Sequence, residues 1–157
     1  MRLNLPKQYS LRDAVSQDAG SLFAIHRAAI QDYVEQIWGW DDAWQEQHFH
    51  RGFDSPANRQ VICDSDVPIG FLCFDSSPRL ISIESIELHP DYQGRGIGTS
   101  ILNQLIASAE KSGAILRLQV FKVNDRARAL YDDLGFNTIG QTEHHFQMER
   151  PSEKRTE

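Results

Sequence analysis

Ile81-Ser82-Ile83-Glu84-Ser85-Ile86-Glu87-Leu88 runs through His89, Pro90, Asp91 and Tyr92 into Gln93-Gly94-Arg95-Gly96-Ile97-Gly98. The first segment is β-branched and apolar, and Pro90 closes it, as expected of a buried strand. Beyond the glycines, Ile97, Ile101, Leu102, Leu105, Ile106 and Ala109 recur at helical spacing. The segment therefore reads strand, glycine turn, helix. Glycines at 94, 96 and 98 let the backbone come close to a ligand, and the first N–H groups of the following helix lack intrahelical partners. Those donors and the positive end of the helix dipole suit a phosphate-like anion.

The spacing narrows the choice of anion. A Walker loop needs Gly-Lys-Ser/Thr at the helix entry, and here Gly98 is followed by Thr99 and Ser100. The dinucleotide pattern G-x-G-x-x-G also fails, because its third glycine falls on Thr99 or on Ile101. What fits is Gln-x-x-Gly-x-Gly after a strand, from Gln93 to Gly98, which resembles the acyl-CoA loop of the GNAT superfamily of N-acetyltransferases. A tight strand-to-helix turn with no ligand is the alternative reading of these six residues alone.

A second segment strengthens the resemblance. Ile115 to Phe121 reads as a strand with Leu116, Leu118 and Val120 on one face. It leads into Asn124-Asp125-Arg126-Ala127-Arg128-Ala129-Leu130-Tyr131-Asp132-Asp133-Leu134-Gly135-Phe136, a short helix with Asn124 as N-cap and Gly135 placed to end it left-handed. Residues seven apart lie within about 20° around a helix, so Asn124 and Tyr131 share a face. The segment is similar to the GNAT pattern N-x-x-A-x-x-L-Y-x-x-x-G-F at Asn124, Ala127, Leu130, Tyr131, Gly135 and Phe136.

The rest of the chain supplies the other elements. Residues 8–12 read as a first strand, and residues 16–18 offer helix-start chemistry. Leu22, Ile25, His26, Ala29, Ile30, Tyr33, Val34 and Ile37 form one stripe of a long helix that Gly39 interrupts. Residues 41–49 read as a second helix capped by Asp41, and 59–64 with 68–74 as a hairpin around Ser65-Asp66. Residues 136–140 and 144–148 give the last strands. The order β-α-α-β-β-β-α-β-α-β-β resembles the α/β GNAT fold, a mixed central sheet of about six to seven strands flanked by four helices. Residues 1–150 read as a single domain and 151–157 as a frayed, charged tail.

Composition bounds the partners. A chain of 157 residues is the size of one domain, and its net charge of −6 argues against sequence-independent nucleic-acid binding and for cationic partners. No apolar run approaches a membrane span and residues 1–6 lack a signal-peptide core, so a cytoplasmic protein off the membrane is expected; a homodimer is compatible with this reading. Cys63 and Cys73 lie in adjacent strand-like runs and read as free, half-buried thiols away from both motifs. His26 reads as a core histidine. His48 with His50, and His144 with His145, point apart, and no metal site is expected.

The resemblance implies acetyl transfer from acetyl-CoA to a primary amine of a small molecule or peptide. An alkylamine is protonated at neutral pH and must lose a proton before attack. Glu84, on the strand entering the turn and expected to share an apolar face with Ile86 and Leu88, is the first candidate for that base; Glu87, expected on the opposite face, is the second, and a water chain is a third possibility. Tyr131 resembles the family's general acid for the departing thiolate. By the same resemblance the cofactor side comprises Leu88, whose N–H would polarise the thioester oxygen, the backbone of Gln93, Gly94, Arg95, Gly96, Ile97, Gly98 and Thr99 around the diphosphate, and Asn124 beside pantetheine. The acceptor side would draw on Tyr33, Trp38, Trp40 and Glu87, with Trp44, Asp41, Asp42 and the His144-His145 pair nearby. A non-catalytic acyl-CoA-binding or sensing domain on the same fold, and an interaction domain whose turn binds nothing, are the alternatives.

Overall fold

The glycines at 94 and 96 adopt φ of +76° and +84°, a left-handed backbone that side-chain-bearing residues rarely take, and the chain turns there from strand into helix. The computed structural model describes residues 3–5, 8–53 and 58–153. In order they form β1 (Tyr9–Asp13), α1 (Ala19–Ile37), α2 (Asp42–Gly52), β2 (Asn58–Asp64), β3 (Val67–Ser76), β4 (Leu80–Leu88), α3 (Ile97–Ser112), β5 (Ile115–Phe121), α4 (Asp125–Asp133), β6 (Asn137–Gln141) and β7 (His145–Arg150). This is the expected element order, with small shifts at strand ends. No described helix is long and apolar enough to cross a membrane.

The seven strands form one sheet in the order β1-β2-β3-β4-β5-β7-β6. The β4–β5 pair is parallel and all the others are antiparallel. It is also short: Leu80, Ile81 and Ser82 pair with Ile115, Leu116 and Arg117, and pairing then stops. Beyond Ser82 the two strands part, which opens the middle of the sheet.

The sheet separates two cores. On one face Ile97, Ile101, Leu102 and Leu105 of α3 pack on Ile62, Leu72, Ile81, Leu116 and Met148. On the other, Leu22 and Ile25 of α1 pack on Val61, Cys63 and Phe71. Ala29, Ile30 and Tyr33 continue the α1 stripe but line the opening instead of the core.

One irregularity changes the reading of β4. The β3–β4 ladder skips Glu84, since Cys73 faces Ser85 while Phe74 faces Ile83. A bulge of this kind shifts strict alternation by one residue. Ile81, Ile83, Ile86 and Leu88 consequently all belong to the core under α3. Glu84 and Glu87 share the other face, where Glu84 accepts from Cys73 Sγ at 3.4 Å and Glu87 meets His26. The expected placement of Glu84 with Ile86 and Leu88, opposite Glu87, is thus corrected, and Glu84 is exposed instead of set among apolar side chains.

Residues 150–153 are tied in to α3 and to the end of α4. Arg150 donates from Nε to the Leu134 carbonyl at 2.8 Å and from Nη1 to Glu110 at 2.9 Å, holding the Glu110 carboxyl below the usual range. Within the expected tail, Ser152 is buried and the Glu153 N–H donates to Glu110, while 154–157 lie outside the described residues. Cys63 and Cys73 are free and fully buried, deeper than the half-buried setting expected.

Gly70 is the tightest glycine of the sheet. A Cβ there would collide with the Glu87 carbonyl oxygen and come within 2.7 Å of Leu88 Cδ2. Gly70→Ala is expected to lower the unfolding free energy by about 1–3 kcal/mol, the cost of forcing an extra carbon into a packed site. Urea denaturation followed by circular dichroism measures it.

Candidate active site

The parting of β4 and β5 leaves a cavity of about 380 Å³. Its walls come from α1, the end of β4, the glycine turn, the first turn of α3, the end of β5 and the inner face of α4. Both motifs therefore open onto the same space.

At one end stands the anion cradle. Gly96 is the left-handed N-cap of α3 and offers no side-chain cap, which leaves the first N–H groups of a 16-residue helix to a ligand. Gln93 closes the base of the turn by donating its Nε2–H to the Leu88 carbonyl at 2.9 Å, and Gly98 lies close enough to Leu88 that a Cβ would touch Cδ1 at 3.8 Å. Gly94, Gly96, Ile97, Gly98 and Thr99 all line the cavity, with the Ile97 side chain buried beneath. Arg95 does not join them: its guanidinium lies 4.8 Å over the Tyr92 ring. Arg126 does, with Nη2 next to Gly94, so α4 brings a cation to the cradle. Sequence reasoning passed over Arg126 although it stands inside the second motif, between Asn124 and Ala127.

The Leu88 N–H faces the opening. Leu88 pairs with Gly70, one residue from the rung where the His89 N–H donates to the Ile69 carbonyl at 2.8 Å. Bonded and non-bonded pairs alternate in an antiparallel ladder, which turns the Leu88 N–H away from β3 toward the side that β5 has left.

At the other end are the titratable groups. Asn124 Oδ1 accepts from the Ala127 N–H at 3.1 Å, so Asn124 caps α4 while also lining the cavity. The cap fixes the rotation of α4 and aims Tyr131 inward. Burial raises the Tyr131 phenol, and the negative charge of Glu87 adds to the effect, for a value of about 12. Glu87 lines the same cavity, half-buried, with His26 Nδ1 at 2.8 Å from Oε1. Glu84 lines only an adjoining depression of about 300 Å³ behind the β4–β5 gap, which it shares with Glu87, His26 and Tyr131. Cys73, expected far from the site, touches Glu84, but burial pushes its thiol up to about 11, so it stays un-ionised and inert at neutral pH.

The aromatic residues divide. Tyr33 lines the cavity and stacks on Phe121 at 6.3 Å. Trp38, 58% exposed, packs edge-on against His144 at 4.9 Å and borders a separate groove of about 560 Å³ with Trp44 and Phe121. Trp40 is not among the residues lining these spaces; its indole N–H donates to Asp42 and its backbone N–H to Glu35. His26, expected to be a core histidine, borders both the depression and the groove.

Comparison with known proteins agrees with this geometry. A model described as the acetyltransferase (GNAT) family matches residues 22–136. The N-alpha-acetyltransferase RimI of Mycobacterium tuberculosis is 32% identical over 133 residues, covering 80% of this chain and 83% of that protein. Among solved structures, the PaiA N-acetyltransferase of Thermoplasma acidophilum in complex with coenzyme A superposes with a TM-score of 0.74 at 17% identity, over 92% of this chain and 99% of that one. The ribosomal-protein-S18-alanine N-acetyltransferase of Escherichia coli gives a TM-score of 0.69 at 22% identity, over 94% and 97%. These two likenesses show a shared fold.

The Tyr131 environment has a spectroscopic consequence. A phenol raised to about 12 from an ordinary value of 10 favours the fold at neutral pH and loses that contribution as pH climbs from 10 toward 12. The wild-type-minus-Tyr131→Phe difference in phenolate absorbance should therefore stay flat through pH 10. In Glu87→Gln the neighbouring negative charge is gone, and the phenolate signal is expected to emerge at lower pH than in the wild type.

Proposed function

The chain belongs to the acetyltransferase (GNAT) family, and on that footing we propose that it carries an acetyl group from acetyl-CoA to a primary amine by direct attack. A peptide α-amine is the acceptor class the relatives favour, since one is named for N-alpha-acetylation and another for an alanine of ribosomal protein S18. One observation carries the reading: the glycine turn and Tyr131 line the same cavity, at the point where β4 and β5 part.

The residues present fit the cosubstrate. The α3 N-terminus and Arg126 suit the diphosphate, a dianionic group that neither could neutralise alone. When bound, acetyl-CoA supplies the thioester carbonyl that an amine attacks. The Leu88 N–H then faces the oxygen on which charge grows; a preorganised backbone donor is effective because it needs no reorientation during the reaction.

Glu87 is the better proton acceptor of the two carboxylates. It lines the cavity with the cradle and Tyr131, whereas Glu84 opens only onto the adjoining depression. Its charge also attracts an incoming ammonium. Tyr131 is the proton donor to the sulfur. A phenol near 12 would not protonate a thiolate in bulk water, where thiols ionise near 8.5. In the cavity the thiolate would be disfavoured by the same partial desolvation and the same carboxylate, which brings the two affinities together.

Thiol release from acetyl-CoA, followed with a panel of peptides and small amines, tests this. Tyr131→Phe and Glu87→Gln are each expected to lower kcat by roughly 10²–10³-fold with little change in KM for acetyl-CoA, and Glu84→Gln to lower it by less than about fivefold. Acetyl-CoA binding without turnover on any amine would instead identify a sensing domain, and absence of binding would exclude both.

A further inference from the structure

We infer that His26 is a positioning residue that holds Glu87 and, through its own charge, sets the pH above which that carboxylate takes a proton from the acceptor. The inference rests on the proposed acetyl transfer and goes beyond it, because nothing in the two motifs points to α1 as a source of pH control.

The geometry is specific. His26 Nδ1 lies 2.8 Å from Glu87 Oε1, and the two side chains are 18% and 14% exposed. Facing an ionised carboxylate, a ring nitrogen acts as donor, so Nδ1 carries the hydrogen and Oε1 is committed to it. The second carboxylate oxygen is then the one available to the acceptor. The ring is fixed by Phe49 at a centroid distance of 5.0 Å, Phe71 at 6.3 Å and Phe23 at 6.4 Å. None of these rings competes for the Nδ1 hydrogen. His26 also borders the groove under Trp38 and Trp44, which gives its imidazole a second route to bulk water beside the depression it shares with Glu87.

The electrostatic consequence follows from the short distance. An imidazolium against Glu87 stabilises the anion and makes it a poor proton acceptor; a neutral imidazole keeps the hydrogen bond and removes that penalty. The other ionisable groups bordering this region are few. Glu84 and His145 line the depression, Tyr131 lies across it from α4, and Asp41 and His48 border the outer groove. Burial and the neighbouring His144 hold His145 below its ordinary value, and Tyr131 stays a neutral phenol. Of these groups only His26 is in hydrogen-bond contact with Glu87.

The test is the pH dependence of kcat at saturating acetyl-CoA and amine for the wild type, His26→Asn and His26→Leu. Asparagine keeps an N–H donor and cannot take up charge; leucine removes both. The acid limb of His26→Asn is expected to move down by about one pH unit or more. The leucine variant is expected to lose at least about tenfold in plateau kcat, with most of that loss restored by asparagine and with KM for acetyl-CoA unchanged within about twofold. As a measurement independent of turnover and of how well the leucine variant folds, NMR should detect a ring N–H of His26 protected from exchange in the wild type and lost in Glu87→Ala, which removes the acceptor oxygen. An acid limb that does not move, or equal losses in the asparagine and leucine variants, would overturn the inference while leaving acetyl transfer intact. A wild type that turns over no amine would overturn both.

Discussion

Three rungs of parallel pairing hold the two halves of this sheet together, and the site exists because there are no more than three. A fourth and a fifth rung in the same register would bring Leu118 and Gln119 of β5 against Ile83 and Glu84 of β4 and narrow the gap that the cavity occupies. Strands that part leave backbone donors and acceptors without partners, which is costly inside a protein unless something else meets them. On the β4 side the Leu88 carbonyl is met by Gln93, and its N–H is left facing the opening. On its other edge β5 keeps its ladder with β7 from Leu116 opposite Arg150 to Phe121 opposite His145, so the strand stays anchored where β4 leaves it. In the proposed reaction the Leu88 N–H, one of the backbone donors left facing the gap, would meet the thioester oxygen.

The two ends of the cavity carry opposite electrostatics. The helix dipole and Arg126 make the cradle positive, and Glu87 makes the far end negative. In the proposed reaction a diphosphate and an ammonium placed along this axis would each find the complementary end. The same separation explains Tyr131. It sits nearer the negative end, where burial and Glu87 both keep its proton on, and a donor must be protonated when charge reaches the sulfur.

Much of this was legible in the chain because the signals are local. Gly94 and Gly96 need left-handed backbone, Asn124 is an N-cap and Gly135 a left-handed stop, and each of these depends on residues a few positions away. Ser65 and Asp66, with φ of +48° and +73°, form the expected hairpin turn for the same reason. What failed was a step that assumed regularity. Reading β4 as a perfect alternation put Glu84 among Ile86 and Leu88, and a bulge set by the partner strand β3 reversed it. No pattern within β4 announces that bulge. Trp40 failed differently: an aromatic residue beside Gly39 suggests a wall, but where its indole N–H finds an acceptor depends on the turn, and Asp42 lies two residues away. His26 was misread because a polar residue on an apolar stripe reveals its partner only when the sheet is assembled.

The cradle and the outer aromatic groove are held with unequal strength. α3 buries Ile97, Ile101, Leu102, Leu105 and Ala109, so the cradle belongs to the main core. α2 buries no residue fully. It rests on Phe49, on the Asp41 cap and on the Arg27–Asp42 pair, whose partners are 42% and 51% exposed. An ion pair that exposed contributes little, because solvent and salt screen it. Local opening follows the least buried contacts, so the α2 wall of the aromatic groove yields before the cradle does. Under the proposed function, an acceptor that entered the groove between Trp38 and Trp44 would reshape it at small cost while the cradle, Leu88 and Tyr131 keep their places. In the proposed reaction, recognition and chemistry would then fall on parts of the fold that differ in rigidity, and substitutions in α2 would alter which amine enters without disturbing the cradle.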